Sequence, residues 1–340
     1  MVAFERYSRQ ILFAPIGRQG QERLHAASVG IIGCGALGTM LANHLCRAGI
    51  GHLIIVDRDY VELSNLQRQI LFDEADVEAH LPKAIAAARK LERINSEVRI
   101  EPLVLDLSAE EAEALIQRVD LVLDATDNFE TRYLLNDVCV KYRRPWIYSG
   151  VIAAHGVTMN ILPGETACLR CVFPELPPPG STPTCDTAGV INGIVSLISG
   201  IAATEALKIL LNSPLISRAL LVADLWENTF ERLELPRQAD CPTCALGRFE
   251  FLTASLQSHT TTLCGRNAVQ VRSSQRGTSV DLATLAQRLQ ALAPVQYNAY
   301  LLRFSVDGYE MTVFPDGRAI IKGTDNEQVA RSLYARYIGM

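Results

Sequence analysis

The chain has 340 residues, 49% of them apolar, and a formal net charge of −5 from 32 Lys and Arg against 37 Asp and Glu. That length admits one large domain or a large domain plus a small one, and the acidic balance argues against a nucleic-acid binder that works through a basic surface. The N-terminal MVAFERYSRQ has no apolar signal core, so secretion is not expected and a cytoplasmic protein is. Nine cysteines in such a compartment should be reduced, which puts metal binding or catalysis ahead of disulfides.

Up to about residue 150 strands and helices alternate. SVGIIG is a short apolar run closed by glycine, as a buried parallel strand should be. GCGALG follows, and Leu37, Leu41 and Leu45 then recur at helical spacing up to Gly49. HLIIVD is the second strand, and LPKAIAAARKLERIN a helix with Pro82 near its start and Asn95 closing it. VRIEPLVLD, VDLVLDATD and PWIYSGV complete the strands of a βαβ series, which predicts an α/β fold with a doubly wound, Rossmann-like, mostly parallel sheet.

Beyond residue 160 the rhythm changes. ELPPPGSTPTCD reads as a surface loop. GVINGIVSLISGIAATEALKILL is apolar, but Asn192, Glu205 and Lys208 interrupt it and leave an uncharged part short for a membrane span. It reads as a buried helix at a core or subunit contact. ALLVAD gives a further strand. After CPTCALG the pattern changes again: LCGRNAVQVRS as a strand, DLATLAQRLQAL as a helix, three strands in AYLLRFSVDGYEMTVFPDGRAIIKG joined at two Asp-Gly turns, and EQVARSLYARYI as a closing helix. The expected division is residues 1–250 as one domain and 251–340 as a small C-terminal α+β domain.

GCGALG between a strand and a helix has the G-x-G-x-x-G form, whose backbone N–H groups and helix N-terminus hold phosphate oxygens. Asp57 ends the second strand and can accept from ribose hydroxyls. Alone, this pattern favours NAD binding. The neighbours point elsewhere: Asn65, Arg68 and Gln69 follow Asp57, Lys83 opens the next helix, and Asp127 and Asn128 lie just past an apolar strand. Strand ends in such sheets converge on one crevice. Arg and Lys there neutralise a triphosphate, and Asp127 can hold Mg²⁺ against it.

Cys168, Cys171, Cys241 and Cys244 form two C-x-x-C pairs, the pattern of a closed four-thiolate Zn²⁺ site that ties distant segments together. Redox pairs or unliganded core cysteines are the alternatives. Cys185 follows the proline-rich loop and precedes the long apolar helix, whose N-terminus would favour a thiolate. Cys34, inside the glycine loop, reads as a packing residue.

RYSRQ, GCGALG, DRDYVELSNLQRQ, LPKA, DATDNFETR and CDTAGV together resemble the ThiF/MoeB/HesA family, relatives of the ubiquitin-activating enzymes. The resemblance covers about residues 5–245, and the tail is similar to the extension of ThiF-type thiazole biosynthesis adenylyltransferases. It implies ATP-dependent adenylation of the C-terminal Gly-Gly carboxylate of a ubiquitin-like sulfur carrier protein, in thiamine (thiazole) biosynthesis or, as the alternative, on a molybdopterin or tRNA-thiolation carrier. Carried over by motif, Gly33, Gly35, Ala36 and Gly38 cradle the phosphates, and Asp57 binds ribose. Asn65, Arg68 and Lys83 hold the phosphates, with Asp59, Ser64, Leu66 and Gln67 lining the same ATP site; Asp127, next to Asn128, binds Mg²⁺. Arg9 is expected to reach the nucleotide from the partner subunit of a homodimer, and Cys185 to serve sulfur transfer or a covalent link to the carrier, with a cysteine desulfurase as sulfur donor. A NAD-dependent oxidoreductase and a non-catalytic carrier-binding scaffold remain the other readings.

Overall fold

The computed structural model describes residues 4–177, 185–254, 260–263, 267–271 and 280–338. The chain folds as two compact units, one of Met1–Pro177 with Ala188–Leu256 and one of Pro178–Thr187 with Gln257–Met340.

The first unit is built on an eight-stranded sheet: β1 (Ser28–Ile32), β2 (His52–Val56), β3 (Arg99–Leu103), β4 (Leu121–Asp124), β5 (Trp146–Ile152), β6 (His155–Ile161), β7 (Ala219–Asp224) and β8 (Thr229–Glu234). The order is β3-β2-β1-β4-β5-β6-β7-β8. Strands β1 to β5 pair in parallel, as the βαβ rhythm predicts, and β6, β7 and β8 add an antiparallel extension. The chain leaves β1 toward β2 and returns on the other side at β4, so the switch point of the sheet lies between β1 and β4.

The strands are apolar because both faces are covered. Leu37, Leu41 and Leu45 on helix Ala36–Ala48 are buried at four-residue spacing, and Ala84, Ala88 and Leu91 at spacings of four and three on one face of helix Lys83–Ile94. Burying such a leucine contributes about 1.5–3 kcal/mol. Helix Ala36–Ala48 stops at Gly49, whose φ of +81° suits glycine and whose absent Cβ would lie 2.5 Å from the Tyr7 ring. The helix end thereby holds the N-terminal segment: Tyr7 is buried, and its hydroxyl accepts from Asn95 Nδ2 at 2.9 Å.

Helix Asn192–Leu210 is long and apolar enough to cross a membrane by length and composition, with a mean hydropathy of 1.6, yet half of it is buried inside the fold. Ile194, Ile198, Ala202, Ala206 and Ile209 make the buried stripe. Gly156 on β6 lets the helix approach, since a Cβ there would sit 2.4 Å from Ile198 Cγ1. The buried Glu205 carboxylate accepts from Asn160 Nδ2 at 2.6 Å, Lys208 Nζ at 2.6 Å and Ser217 N at 2.9 Å, so this charge is fully engaged.

The second unit is a six-stranded antiparallel sheet in the order β11-β12-β13-β14-β10-β9, comprising β9 (Thr260–Leu263), β10 (Ala268–Val271), β11 (Val295–Tyr297), β12 (Leu302–Val306), β13 (Tyr309–Val313) and β14 (Ala319–Lys322). Helices Leu282–Leu289 and Glu327–Tyr337 bury Leu285, Leu289, Leu333 and Tyr337 with Phe304, Met311, Val313 and Ile321 of the sheet. Asp307 and Gly308 both have positive φ, 53° and 82°, the requirement of a tight type I′ turn, and β12 and β13 pair across it as the Asp-Gly signal predicts. LCGRNAVQVRS is not one strand: β9 ends at Leu263 and β10 starts at Ala268, and the two pair antiparallel. Cys264 lies outside the described residues.

Candidate functional site

The loop after β1 carries three glycines with three different constraints. Gly33 has φ +93°, and a Cβ there would lie 2.5 Å from the Ala125 carbonyl oxygen, just past β4. A Cβ on Gly38 would lie 2.0 Å from the Gly33 carbonyl oxygen. Both positions are closed by the protein's own backbone. Gly35 differs, for the nearest atom to a Cβ there is Gln69 Nε2 at 3.8 Å. The space over Gly35 is therefore open to something outside the chain, as the middle glycine of a phosphate-binding turn requires. Gly35 is also the N-cap of helix Ala36–Ala48 and offers no side-chain acceptor, so the first N–H groups of that helix are available to an anion.

Asp57, after β2, holds the loop from the side. Its Oδ2 accepts from Cys34 N at 2.6 Å and its Oδ1 from Asp59 N at 2.7 Å. Burial raises the Asp57 carboxyl above the usual range, against the pull of the Lys83 ammonium. Lys83 is 3% exposed, its Nζ lies 3.3 Å from Asp59 Oδ2, and its backbone N donates to Asp59 O at 2.9 Å. Cys34 is wholly buried with its Sγ 3.9 Å from Lys83 O, and burial pushes its thiol well up, so it packs and is not a nucleophile. Gln69 is buried beside Gly35 with its Oε1 lacking a partner. The sequence grouped Gln69 with Asn65 and Arg68 at this crevice, and its place beside Gly35 fits that grouping.

The end of β4 supplies the other wall. Asp124 is fully buried and Arg132 is 8% exposed; Arg132 Nε lies 3.2 Å from Asp124 Oδ2 and its Nη2 donates to Thr126 O at 2.6 Å. The guanidinium also lies over the Phe129 ring at 5.2 Å and the Tyr148 ring at 5.3 Å. This pair fixes the turn Thr126–Asn128, in which Asp127 is exposed and Asn128 Oδ1 caps helix Phe129–Lys141 by accepting from Thr131 N at 2.8 Å.

The remaining expected residues are less gathered. Asn65 is buried and its Oδ1 accepts from Glu62 N at 3.0 Å; Arg68 Nη1 donates to Ser64 O at 3.0 Å. Leu66 is half-buried, and the exposed Gln67 donates to Val190 O at 3.4 Å. Arg9 is exposed on the single-turn helix Ser8–Ile11. Neither Arg9 nor Arg68 hydrogen-bonds to the glycine loop among the described residues. Cys185 does not stand at the start of the long helix, which begins at Asn192. It opens a separate four-residue helix, Cys185–Ala188, and its side chain lies outside the described residues. One turn carries little of the dipole on which the thiolate argument rested.

Cys168, Cys171, Cys241 and Cys244 converge, with all four sulfurs within 4.8 Å of one another. Three of the contacts are 3.8, 3.5 and 3.4 Å, for Cys168–Cys171, Cys168–Cys241 and Cys171–Cys244. Tetrahedral Zn²⁺ with Zn–S bonds near 2.3 Å needs sulfurs about 3.8 Å apart, so the set fits that ion and leaves no open ligand position. The Cys168 thiol donating to Cys171 holds the latter down to about 4, with Gln238 N as a second donor. Helix Phe129–Lys141 braces both pairs: Asn136 Oδ1 accepts from Leu169 N at 2.9 Å, and Asp137 from Thr243 Oγ1 and Phe251 N, each at 2.9 Å.

A glycine loop and helix N-terminus at the switch point, flanked by Asp57 and Lys83, define a nucleotide-binding protein of the doubly wound class. The ThiF family model matches residues 7–243, and the chain belongs to that family. It is 45% identical over 339 residues to the sulfur carrier protein ThiS adenylyltransferase of Bacillus subtilis, covering 98% of this chain and 99% of that protein. It is 40% identical over 247 residues to the sulfur carrier protein adenylyltransferase of Thermus thermophilus, covering 71% of this chain and 90% of that one. Among solved structures, E. coli MccB with ATP superposes with a TM-score of 0.61 at 24% identity over 71% of this chain and 74% of that chain, a likeness of fold.

Three outcomes follow from this geometry. Gly35→Ala should keep near wild-type thermal stability while weakening nucleotide binding at least tenfold, whereas Gly38→Ala should lose stability outright; equal destabilisation in both would mean the space over Gly35 is not a ligand's. Arg132→Ala leaves Asp124 buried without its partner and should cost about 3–5 kcal/mol in urea unfolding. Purified protein should contain one zinc per chain by elemental analysis, lost in Cys168→Ser/Cys171→Ser, and Asp137→Ala should release it to a chelator at about 10–100-fold lower metal affinity.

Proposed function

We propose that this chain adenylates the C-terminal Gly-Gly carboxylate of a ubiquitin-like sulfur carrier protein with ATP, preparing the carrier for thiocarboxylation in thiazole formation. The observation that carries this reading is the 45% identity along 98% of the chain to an enzyme named for that reaction. The Thermus protein, whose name leaves the carrier unspecified, covers only 71% of the chain. Similarity that extends through the C-terminal unit favours the thiazole branch over other carriers, and over a nicotinamide oxidoreductase or a scaffold.

The carrier's terminal carboxyl has an ordinary pKa of about 3.5, so the nucleophile is already ionised and no general base is required. It attacks the α-phosphorus, the acyl–phosphate bond forms as the bond to pyrophosphate breaks, and pyrophosphate departs. The protein's task is to align the two anions and offset their charge. The N–H groups at Gly35 and Ala36 receive phosphate oxygens, Asp57 receives the ribose hydroxyls, and Lys83 turns from Asp59 toward the phosphates. Arg68 adds a second cation, and Arg9 enters from the partner subunit of a homodimer. Asp127, exposed just past β4, is the hard carboxylate that would hold Mg²⁺, which when bound would supply positive charge to neutralise the leaving group. Zn²⁺ on Cys168, Cys171, Cys241 and Cys244 is structural. Cys185 acts after adenylation, in sulfur transfer from a persulfide donor such as a cysteine desulfurase or in a covalent link to the carrier, in a cytoplasmic setting.

ATP–pyrophosphate exchange with a panel of purified carriers tests the reading. Lys83→Ala, Arg68→Ala and Asp127→Ala should each lower carrier-dependent exchange by 100-fold or more, about 2.7 kcal/mol, in folded protein. Cys185→Ser should keep exchange within a few-fold and lose the covalent or sulfur-transfer species in intact-mass spectra. Near wild-type exchange in the first three variants would sink adenylation at this crevice, and collapse of exchange in Cys185→Ser would place that cysteine at the nucleotide.

A further inference from the structure

The opposite end of the central strands carries a cleft of about 680 Å³ that no part of the adenylation chemistry uses. It lies where β1, β4 and β5 begin: Ala27 precedes β1, Asp120 precedes β4, and Arg144 and Pro145 lead into β5. The glycine loop is at the other end of β1, a strand's length away, about 15 Å.

Four arginines line the cleft, Arg23, Arg143, Arg144 and Arg218, against two carboxylates, Asp120 and Glu165. Both carboxylates are engaged: Glu165 with Arg218 Nη2 at 2.7 Å, and Asp120 with Ser28 N at 2.8 Å. Among the described residues Arg23 hydrogen-bonds a carbonyl, Leu211 O, at 3.5 Å and pairs with no carboxylate. The Nε of Arg144 is buried and has no hydrogen-bond partner, and among the described residues neither Arg143 nor Arg144 has an acidic partner. The partly exposed Arg144 and the exposed Arg143 therefore have guanidinium charge to offer an anion in the cleft they line. The rest of the wall is mixed: Leu162, Ile209 and Ile216 are apolar, and Asn212 and Ser213 are polar. An open cleft of this size that sets apolar side chains beside several cations can take a small organic anion, and a planar guanidinium fork matches a phosphate or carboxylate.

We propose that this cleft is a second ligand site, separate from the nucleotide crevice, which binds a small organic anion: an apolar body against Ile209 and Leu162, and one phosphate or carboxylate group on Arg144 and Arg143. Calorimetric titration of the full chain with phenyl phosphate and with benzoate tests it. One probe molecule should bind per chain, more weakly as salt rises, and the tighter probe identifies which anion the site prefers. Arg144→Gln should weaken binding at least tenfold and the exposed Arg143→Gln several-fold, in folded protein. Binding should persist in Lys83→Ala and in the presence of saturating ATP. Should Arg144→Gln fail to fold, Arg143→Gln carries the same test. Absence of binding by both probes, undiminished binding in the folded arginine variants, or displacement by ATP would each overturn the proposal.

Discussion

The crevice depends on one close backbone approach. The chain leaving β1 at Gly33 must pass the carbonyl of Ala125, just beyond β4, at a distance that would place any Cβ within 2.5 Å of it. Only because both are bare backbone at that point can the loop turn back over the sheet and set Gly38 against the Gly33 carbonyl, launching helix Ala36–Ala48. A methyl group on Gly33 or Gly38 would separate the β1 and β4 exits. The amides on one side and Thr126–Asn128 on the other would then cease to share a crevice. The fold is tightest where it gives up side chains, and that tightness aims the helix N-terminus.

Charge in the crevice is held in a poised arrangement rather than neutralised by water. Lys83 is buried against Asp59, and Asp57 is committed to two backbone N–H groups, so the cation and both carboxylates have protein partners before any ligand arrives. A buried cation whose partner can be exchanged loses little when it moves from Asp59 to a phosphate, because its desolvation is already incurred on folding. Such preorganisation favours the anion without a large rearrangement of solvent.

The parallel half of the fold was legible because its strands are buried on both faces and its helices carry four-residue apolar spacing; Leu37, Leu41 and Leu45 needed no more than counting. The antiparallel extension was not. β6 follows β5 through Ala153, which takes φ +50° with neither glycine nor asparagine to announce a turn, and β8 is exposed at every residue, so it has no apolar alternation to read. Motif spacing singled out Asp57, Lys83 and the four cysteines; the structure brings the cysteines together and sets Asp57 and Lys83 beside the glycine loop, because their positions follow from strand ends and paired knuckles. Spacing could not distinguish Gly35, open to a ligand, from Gly33 and Gly38, closed by backbone. Nor could it show that Asn65 and Asn128 spend a side-chain oxygen on a local turn or cap. Spacing also overestimated the helix at Cys185, because Gly189, at φ +72°, breaks the chain before Asn192.

One helix joins the crevice to the cysteine cluster. Helix Phe129–Lys141 is capped by Asn128 and bears Arg132, which grips Asp124 and Thr126 at the strand end; one turn further on, Asn136 and Asp137 each hold one C-x-x-C pair. Arg132 and Asp137 are five residues apart, a rise of about 7.5 Å. The cluster therefore does more than tie residues 168–171 to 241–244. Closing it fixes the far end of the helix whose near end sets the position of Asp127. Asp137 is fully buried at this joint between helix and cluster, and burial pushes its carboxyl up to about 6. The same helix thus carries both the contacts that shape the crevice wall and the contacts that hold the two cysteine pairs.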